Sequence, residues 1–524
     1  MSMTIGRIFD LTVRKYPDQE ALKDIRSKHS YTYLEWDGHI TALANALKKE
    51  GVGKGDRVSV FLYNREEIAS VYFACAKIGA VFNPINFRLM AEELAYILED
   101  AAPKVLLFEQ ALEPVVSSIE QRFGHISFWN CDETAISYAA SYWDHIRMKD
   151  LSPLADTVEE TDDYAIMYTS GTTGRPKGVV HRHREMAEQS MLVIQAMDLK
   201  DKDRGLTIAP MFHCAELHCA FLPRVHVGAL TVIMHQFNPK LVLEQIEKER
   251  ITKLFAAPTM WNMLLQEDFK RYDLGSLDTG LYGAAPMAPV LVQACREHFH
   301  VKLVQAYGMT EMGPAITFLA EEDQLRKSGS AGKALINHEI RIVQPNEDGP
   351  SDPEAVVSPG ATGEIIVQGP CVMKGYFNKQ EATEKALYRD WYHTGDIGFL
   401  DDEGYLWVKD RVDDMIISGG ENVYPREVED VLYEHPGVLD VAVLGQPDDT
   451  WGERVVAFVV LKDHSLTEDD LETFCRQSDK LANYKRPRKY VFGDTLPRNA
   501  SGKIQKFLLR TQLEQVIEDR HLSS

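Results

Sequence analysis

The sequence predicts an α/β protein with a large N-terminal domain of mainly parallel sheets and flanking helices, a β-rich subdomain, and a small C-terminal α+β domain. In the first half, strand-like runs such as 57–63 and 104–109 alternate with helix-like segments such as 65–78. This alternation implies crossover helices between parallel strands. After about residue 335, short strands separated by turn residues indicate an antiparallel region. Beyond residue 413, roughly 110 residues remain, enough for one small domain.

The remaining elements follow in chain order. Further strands are predicted in the N-terminal half at 80–85, 164–169, 205–210, 229–234, 253–258 and 302–308. A helix is predicted around 239–250, and another at 425–432 with proline in its first turn. Two long strands and a helix at 467–478 are predicted after it. We therefore expect domains at residues 1–412 and 413–524, with ligands beyond the carboxyl ends of the parallel strands.

Composition narrows the class of function. The 524 residues carry a formal net charge of −22, which opposes binding to nucleic acids and anionic membranes. Seven cysteines without a CxxC spacing favour a reducing, cytoplasmic compartment. The N-terminus lacks the apolar region of a secretory signal, and the longest apolar stretch, 68–85, is interrupted by Lys77 and Pro84. We expect no transmembrane segment, and the sequence leaves a homodimer open.

The strongest motif is the run YTSGTTGRPKG at 168–178, directly after a predicted buried strand. Its serine, threonine and glycine residues offer hydroxyl groups and close backbone approach, and Lys177 adds a cation. Such loops wrap polyphosphates through N–H and O–H donors. The spacing is not that of a Walker loop, because Lys177 is followed by Gly178. The motif therefore predicts a nucleotide site outside the P-loop class.

With five further motifs, the chain resembles the AMP-forming, adenylate-forming enzymes, which include acyl-CoA synthetases, carrier-protein adenylation domains and beetle luciferases. The motifs occur in order at 307–311 (YGMTE), 392–396 (YHTGD), 409–411 (KDR), 419–422 (GGEN) and 497–503 (PRNASGK). The resemblance covers nearly the whole chain. It implies that ATP, with Mg²⁺, activates a small carboxylic acid as an acyl-adenylate with release of pyrophosphate. The acyl group then passes to coenzyme A, and rotation of a mobile C-terminal domain separates the two steps.

Residue roles follow from the matched motifs. The catalytic residues would be Thr310, Glu311, which would also hold Mg²⁺, and Lys503, which would bridge the carboxylate and the ribose. The hinge would be Asp413, and Gly419 and Gly420 would let pantetheine pass close to the backbone. The nucleotide-binding residues would be Thr169, Ser170, Gly171, Thr172, Thr173, Gly174, Lys177, Gly283, Ala284, Ala285, Tyr307, Gly308, Asp396 and Arg411. A core tyrosine remains the alternative for Tyr307, and an Asx-turn remains the alternative for Asp396.

The segment after residue 210 is predicted to open a helix beside the acyl pocket. By resemblance the pocket would be lined by His213, Cys214, Leu217, Met260, Met309 and Met312. Ordinary core packing remains the alternative for the methionines. We reject a zinc site at 213–219 because the ligand spacing is wrong. Arg224 could pair with a second substrate carboxylate, although a helix-end arginine more often caps carbonyl groups.

The first prediction is therefore a ligase that joins a medium- or long-chain fatty acid to coenzyme A. An aryl acid is the alternative substrate class. Phe212 and His213 stand where amino-acid-activating domains place an aspartate, which argues against an amino acid. An adenylation enzyme that loads a carrier protein and a luciferase-type oxygenase remain rival functions. Dependence on coenzyme A separates the ligase from the carrier-loading enzyme, and oxygen uptake would identify the oxygenase.

Overall fold

The computed structural model describes residues 2–155, 157–169, 175–285, 287–346, 349–411, 416–418, 421–448, 451–462, 465–478, 480–498 and 504–513. The helices are α1 Ile5–Lys15, α2 Tyr33–Lys49, α3 Glu66–Ile78, α4 Ala91–Ala101, α5 Glu113–Ser117, α6 Tyr142–Arg147, α7 His183–Ala196, α8 Cys214–Glu216, α9 Leu222–Val227, α10 Pro239–Glu249, α11 Pro258–Gln266, α12 Pro289–Phe299, α13 Gln380–Ala386, α14 Pro425–Tyr433 and α15 Glu468–Gln477.

The strands of the N-terminal half are β1 Glu20–Asp24, β2 Ser30–Thr32, β3 Arg57–Phe61, β4 Val81–Pro84, β5 Val105–Phe108, β6 Ser127–Asn130, β7 Ala140–Ser141, β8 Asp163–Thr169, β9 Lys177–Arg182, β10 Arg204–Thr207, β11 Leu230–Ile233, β12 Lys253–Phe255, β13 Thr279–Tyr282, β14 Lys302–Gly308, β15 Ala315–Leu319 and β16 Lys333–Ala334. The later strands are β17 Glu339–Val343, β18 Gly363–Gln368, β19 Gly375–Tyr376, β20 Leu387–Tyr388, β21 Trp391–Leu400, β22 Leu406–Arg411, β23 Ile416–Ser418, β24 Glu421–Val423, β25 Val438–Asp448, β26 Gly452–Leu461 and β27 Lys489–Phe492.

Two large sheets form the N-terminal half, and both are parallel in their interiors, as the alternation predicts. One has nine strands in the order β16-β15-β14-β13-β12-β10-β11-β1-β2, and the other has eight in the order β19-β9-β8-β4-β3-β5-β6-β7. Antiparallel pairing is confined to their ends, at β15, β16 and β2 in the first and at β9 and β19 in the second. Helices α1, α2 and α3 share the largest apolar core with strands of the eight-stranded sheet.

The later sequence forms two smaller sheets, again as predicted. Strands β17, β18, β20, β21 and β22 make an antiparallel sheet. Strands β23 to β27 make a mixed sheet, antiparallel except for the parallel pair of β26 and β27. This sheet packs against α14 and α15 around an apolar core of its own. Thr467 caps α15 in a reciprocal capping box with Asp470. This α+β unit is the predicted C-terminal fold, whereas the boundary between residues 412 and 413 stays a prediction.

Three segments differ from the sequence prediction because of proline or early strand ends. The strand predicted at 253–258 ends at Phe255, since Pro258 begins α11. The strand predicted at 205–210 ends at Thr207. The helix predicted after residue 210 is interrupted by a π-helical turn, Leu217–Phe221, between α8 and α9. Pro223 lies in the first turn of α9 and has no N–H to donate, which favours a local irregularity in the hydrogen-bond ladder.

The length and hydropathy of the helices bear on membrane insertion. Among the described residues, no helix combines the length and apolar character that crossing a bilayer requires.

Candidate functional site

The predicted nucleotide residues gather at the carboxyl ends of parallel strands. Thr169 ends β8, Gly308 ends β14, and Gly283 directly follows β13. Two of these glycines sit where backbones approach closely: a Cβ on Gly308 would lie 1.8 Å from the Pro314 carbonyl oxygen, and one on Gly283 would lie 2.7 Å from that of Ala306. Only glycine fits such close approaches, so backbone packing requires glycine at both strand ends.

The phosphate motif connects two paired strands. Thr169 and Lys177 face each other in the antiparallel register of β8 and β9, so the run between them joins the ends of this pair. Ser170, Gly171, Thr172, Thr173 and Gly174 lie outside the described residues. The Lys177 ammonium lies 4.4 Å from the ring centroid of Tyr376, on the neighbouring strand β19. This cation–π contact orients Lys177 without cancelling its charge.

Glu311 is held in a buried position. Its carboxylate oxygen Oε1 accepts a hydrogen bond of 2.9 Å from the Tyr376 hydroxyl, and its carbonyl oxygen accepts one of 2.8 Å from the Met373 N–H. The side chain lies in the single 3₁₀ turn Thr310–Met312 that follows β14. Because a tyrosine hydroxyl is neutral, the bond fixes the carboxylate and leaves its charge available to a cation.

The donor set around Glu311 fits Mg²⁺. Among the described residues, no group of three His, Cys, Asp or Glu side chains could enclose a metal. Mg²⁺ is commonly held by one or two carboxylates together with substrate phosphates and water. A single buried carboxylate beside the phosphate motif is therefore compatible with this ion once a nucleotide is present.

Thr310 is contacted from two different elements. Its carbonyl oxygen accepts a hydrogen bond of 2.7 Å from His181 Nε2 on β9. Its hydroxyl lies 3.3 Å from the Cys214 sulfur at the start of α8. Burial raises the pKa of Cys214 to about 12, so this thiol keeps its proton at neutral pH. Thr310 thus stands at the junction of the phosphate strand and the predicted acyl-pocket helix.

Tyr307 and Asp396 are joined directly. The Tyr307 hydroxyl donates to Asp396 Oδ2 at 2.6 Å, and the Asp396 N–H donates to the Thr394 hydroxyl at 2.9 Å. Asp396 is 5% exposed, and the Thr394 hydroxyl closes a local turn by accepting from the Asp396 N–H, whereas an Asx-turn would use the Asp396 carboxylate as the acceptor. That turn fixes the backbone, while the carboxylate points to Tyr307. The structure therefore brings together two residues 89 positions apart that the sequence assigns to one nucleotide.

The predicted acyl-pocket residues are divided among four apolar clusters. Cys214 and Leu217 belong to the core beneath α1 and α3, Met309 and Met312 belong to the antiparallel region, and Met260 lies between two cores beside β12. His213 caps α8 through its ring nitrogen Nδ1, which accepts from the Ala215 N–H at 3.2 Å. Burial lowers the pKa of His213 to about 4, so the ring is neutral at physiological pH.

Arg224 has neither of the roles considered for it from the sequence. Its guanidinium group is 2% exposed and donates to Glu216 Oε1 and to the Thr207 hydroxyl, both at 2.7 Å. The ion pair joins α8 to α9 across the π-helical turn. Because an ion pair buried this deeply is costly to break, Arg224 is committed to the fold and not to a substrate carboxylate or to helix-end carbonyl groups.

Several predicted residues cannot be placed. Asp413, Gly419, Gly420 and Lys503 lie outside the described residues. For Arg411 the structure gives only the backbone, which pairs with Asp396 in the ladder of β21 and β22. Ala284 is exposed and has a positive φ of 64° in the turn after β13, next to Ala285.

Two residues of this site, Tyr376 and His181, were missed by the sequence analysis. Tyr376 contacts Glu311 across 65 positions, and His181 contacts Thr310 across 129. His181 follows two valines, and Tyr376 stands between Gly375 and Phe377, and both side chains are buried as ordinary core residues are. One usable signal existed for His181, since it lies only four positions after Lys177 on the strand that leaves the phosphate motif.

Comparison of the sequence with known proteins identifies the family of this chain. Residues 9–377 match the family described as AMP-binding enzyme, and residues 427–503 match its C-terminal domain. The chain is 36% identical over 490 residues to the long-chain-fatty-acid–CoA ligase FadD13 of Mycobacterium tuberculosis (strain ATCC 25618 / H37Rv), covering 93% of this chain and 94% of that protein. It is 38% identical over 477 residues to feruloyl-CoA synthase of Amycolatopsis sp, covering 91% and 92%.

The fold comparison agrees. The crystal structure of the anthranilate CoA ligase AuaEII in complex with anthranoyl-AMP superposes with a TM-score of 0.92 and 28% sequence identity. It covers 99% of this chain and 98% of that one.

Proposed function

Because this chain belongs to the AMP-binding enzyme family and is an AMP-forming acid–CoA ligase, we propose that its substrate is a medium- or long-chain fatty acid. ATP and coenzyme A follow from the family. The observation that carries the choice of acid is an apolar layer between α7, the π-helical turn and the strands β12 to β14. This acyl layer includes Val193, Met197, Ala220, Phe255, Leu281 and Val304, and Ala215, Met260 and Ala306 are among the residues packed against it.

The acyl layer suits a flexible apolar chain. It begins beside His213, at Ala215, and extends to Met197 at the end of α7. A small cavity of about 20 Å³ lies between Met197, Cys219 and Phe255. Each methylene group buried there would contribute about 0.8 kcal/mol, and methionine side chains adapt to irregular apolar shapes. We therefore expect Met197 and Met260 to move aside for the acyl chain.

The charges around the layer favour an acid without a second ionic group. Arg224 and Lys253, which border the same cavity, are paired with Glu216 and Asp278. His213 is neutral because burial lowers its pKa. A second carboxylate or an ammonium group would therefore lose its hydration without gaining a counter-charge from these side chains, which is unfavourable. A monocarboxylic acid with an apolar body avoids this cost.

We propose two steps for the reaction. A carboxylate oxygen of the acid forms a bond to the α-phosphorus of ATP as the bond to pyrophosphate breaks, giving acyl-AMP. Lys503 would offset the charge of the two approaching anions, Thr310 would hydrogen-bond the α-phosphate, and Asp396 would accept from the ribose hydroxyls. The thiol of coenzyme A then loses its proton to solvent and bonds to the acyl carbon, as the bond between that carbon and the phosphate oxygen breaks and AMP leaves. For this step, Asp413 would serve as the hinge, and Gly419 and Gly420 would line the thiol's path.

Mg²⁺ belongs to the same proposal. Glu311 would hold the ion, and the bound ion would neutralise phosphate charge. The cytoplasm is the proposed compartment, supported by seven cysteines that are all free of disulfide bonds. A homodimer stays a prediction that size-exclusion chromatography tests.

An aryl acid is the second candidate substrate. It is favoured by the similarity to feruloyl-CoA synthase and by the fold match to a ligase bound to anthranoyl-AMP. A flat ring would need a short, wide pocket near His213, whereas an alkyl chain would extend along the whole acyl layer. The two candidates therefore differ in how deep the substrate reaches.

The test is a panel of acids assayed for AMP formation with and without coenzyme A. The panel contains octanoate, dodecanoate, hexadecanoate, benzoate, ferulate and succinate. We expect the fatty acids to give the highest kcat/KM, with AMP turnover that requires coenzyme A. In parallel, Phe255→Trp, which adds bulk deep in the acyl layer, should lower turnover of hexadecanoate more than that of benzoate. If ferulate is preferred and Phe255→Trp lowers the turnover of hexadecanoate and benzoate equally, the fatty-acid proposal is wrong and an aryl acid is the substrate.

A further inference from the structure

The carbonyl oxygen of Thr310 has an unusual donor. It accepts from the Gly313 N–H at 3.2 Å within its own turn, and from His181 Nε2 at 2.7 Å. The shorter bond therefore comes from a side chain on β9, a strand of the other large sheet. Since β9 begins at Lys177, His181 connects the strand of the phosphate motif to the turn that carries Thr310 and Glu311.

The chemistry of this contact determines where the histidine proton lies. A carbonyl oxygen can only accept, so Nε2 must carry the hydrogen. His181 is fully buried, and burial lowers its pKa to about 4, so the ring is neutral at physiological pH and Nδ1 carries no hydrogen. Among the described residues, Nδ1 has no hydrogen-bond partner. The ring therefore directs its single N–H to Thr310.

The cost of burying this ring argues that the contact has a purpose beyond packing. Burying a polar ring with one nitrogen unsatisfied costs free energy that an aliphatic side chain would not. The neighbouring inward position on β9 is filled by Val179, which is also fully buried. A leucine at position 181 would pack without that penalty but would donate nothing to the Thr310 carbonyl.

We infer that His181 is a positioning residue for Thr310, whose backbone it fixes so that the Thr310 hydroxyl meets the α-phosphate. The inference rests on the proposed function, because it requires Thr310 to act in adenylation. It also explains why Thr310 is restrained at two atoms. His181 fixes the carbonyl group, and Cys214 lies against the hydroxyl. A loss of either restraint changes where the hydroxyl points without removing it.

The test compares His181→Leu with His181→Gln in ATP–pyrophosphate exchange, using the panel acid with the highest turnover. Glutamine can place an N–H near the position of Nε2, whereas leucine cannot. We expect His181→Leu to lower kcat by about 10- to 100-fold, because small misplacements of catalytic groups have effects of this size. The KM for ATP should stay within about threefold, since the nucleotide contacts other than that of Thr310 remain. His181→Gln should keep at least about a third of the kcat.

A matched control lies two residues away. His183 is equally buried, and its Nδ1 accepts from the Ile5 N–H of α1, far from the site. His183→Leu should lower the melting temperature as His181→Leu does but leave kcat within about twofold. If His181→Leu does not fold, His181→Asn replaces it, because the asparagine amide is too short to reach the Thr310 carbonyl.

A double-mutant cycle gives the decisive readout. If His181 acts through Thr310, adding His181→Leu to Thr310→Ala should lower kcat by less than about threefold further. Multiplied losses would overturn the inference, as would equal damage by His181→Gln and His181→Leu, or a kcat loss in His183→Leu as large as that in His181→Leu. Absence of turnover by the unchanged chain with every acid would overturn the proposed function and the inference together. Activity in the unchanged chain with an equal kcat in His181→Leu would overturn the inference alone.

Discussion

Glu311 of the N-terminal site and two cations of the C-terminal region are held by different kinds of partner. Glu311 and Asp396 each accept a hydrogen bond from a tyrosine hydroxyl. In the C-terminal region, Arg498 pairs with Asp440 at 2.7 Å and Lys506 with Glu429 at 3.3 Å. A neutral hydroxyl orients a carboxylate without cancelling its charge, whereas an ion pair uses the charge for the fold.

We propose that this difference distinguishes side chains that stay at the site in both half-reactions from a side chain that rotation of the C-terminal domain brings to it. The Glu311 and Asp396 carboxylates are oriented by tyrosine hydroxyl groups before any ligand arrives, and we propose that they serve both half-reactions. Cations such as Arg498 and Lys506 are committed to carboxylates of their own region. For the cation that acts in adenylation alone we propose Lys503, which stands between Arg498 and Lys506 in the sequence. Substitutions in the two regions should therefore differ in which half-reaction they affect.

The largest expected effect is that of Lys503→Ala on adenylation. Removing a cation aimed at the reacting phosphate should lower acyl-AMP formation by about 10²- to 10³-fold. Thioester formation from supplied acyl-AMP should change less than about threefold, because Lys503 is proposed to act before that step. ATP–pyrophosphate exchange measures the first half-reaction, and release of AMP from acyl-AMP and coenzyme A measures the second.

The control for Lys503→Ala is Lys506→Ala, which removes a cation paired with Glu429 from the same segment. It should leave both half-reactions within about twofold, as expected for a partly exposed ion pair. Equal loss of both half-reactions in Lys503→Ala would contradict the proposed division of roles.

The second effect concerns Asp396, which belongs to the oriented group. Asp396→Asn keeps the shape of the side chain but removes its charge. Hydrogen bonds to a charged group are worth about 1.5–3 kcal/mol, so both half-reactions should slow by about 10- to 100-fold. Lys503→Ala, by contrast, is expected to slow adenylation alone. If Asp396→Asn slows adenylation alone, the carboxylate does not act in both steps, and the comparison between the regions fails.

Acid should weaken the N-terminal region before the C-terminal core. The histidines whose pKa burial lowers to about 4 lie between His39 and His226. An unfolded histidine takes up a proton near pH 6.5, whereas these rings do so only near pH 4. The unfolded state therefore binds more protons between these values, and the free energy of unfolding falls as the pH is lowered through this window.

Each such histidine should lower the free energy of unfolding by about 1–2 kcal/mol as the pH falls from 7 to 5, and should change it very little above pH 7. Hydrogen exchange measured at both pH values should show protection lost first in β3, β8 and α7, and later in β25 and β26. His183→Gln should flatten the dependence of the unfolding free energy on pH. Simultaneous loss of protection in both regions would show that these buried rings do not set the acid limit.

The sequence predicts the fold and the strand-end location of the site because both depend on local patterns. Alternating periodicity indicates the parallel sheets, and the phosphate motif indicates where β8 ends. The contacts of Glu311 with Tyr376 and of Thr310 with His181 could not be predicted in the same way. They join positions 65 and 129 residues apart, and pairing at such distances depends on sheet order. The commitment of Arg224 to Glu216 was likewise invisible, because it depends on a π-helical turn between them.

The smallest expected effect tests one of these unpredicted contacts. Tyr376→Phe removes the hydroxyl that orients Glu311 but keeps the ring against Lys177. A single hydrogen bond contributes about 0.5–1.5 kcal/mol, so kcat should fall about 2- to 10-fold. Because the carboxylate is proposed to hold Mg²⁺, the concentration of Mg²⁺ that gives half-maximal activity should rise by a similar factor. The matched control is Tyr405→Phe, which removes a similar tyrosine–carboxylate bond of 2.6 Å to Asp323, away from the site. The control should leave the Mg²⁺ dependence unchanged, and an identical shift in both variants would mean that Tyr376 only stabilises the fold.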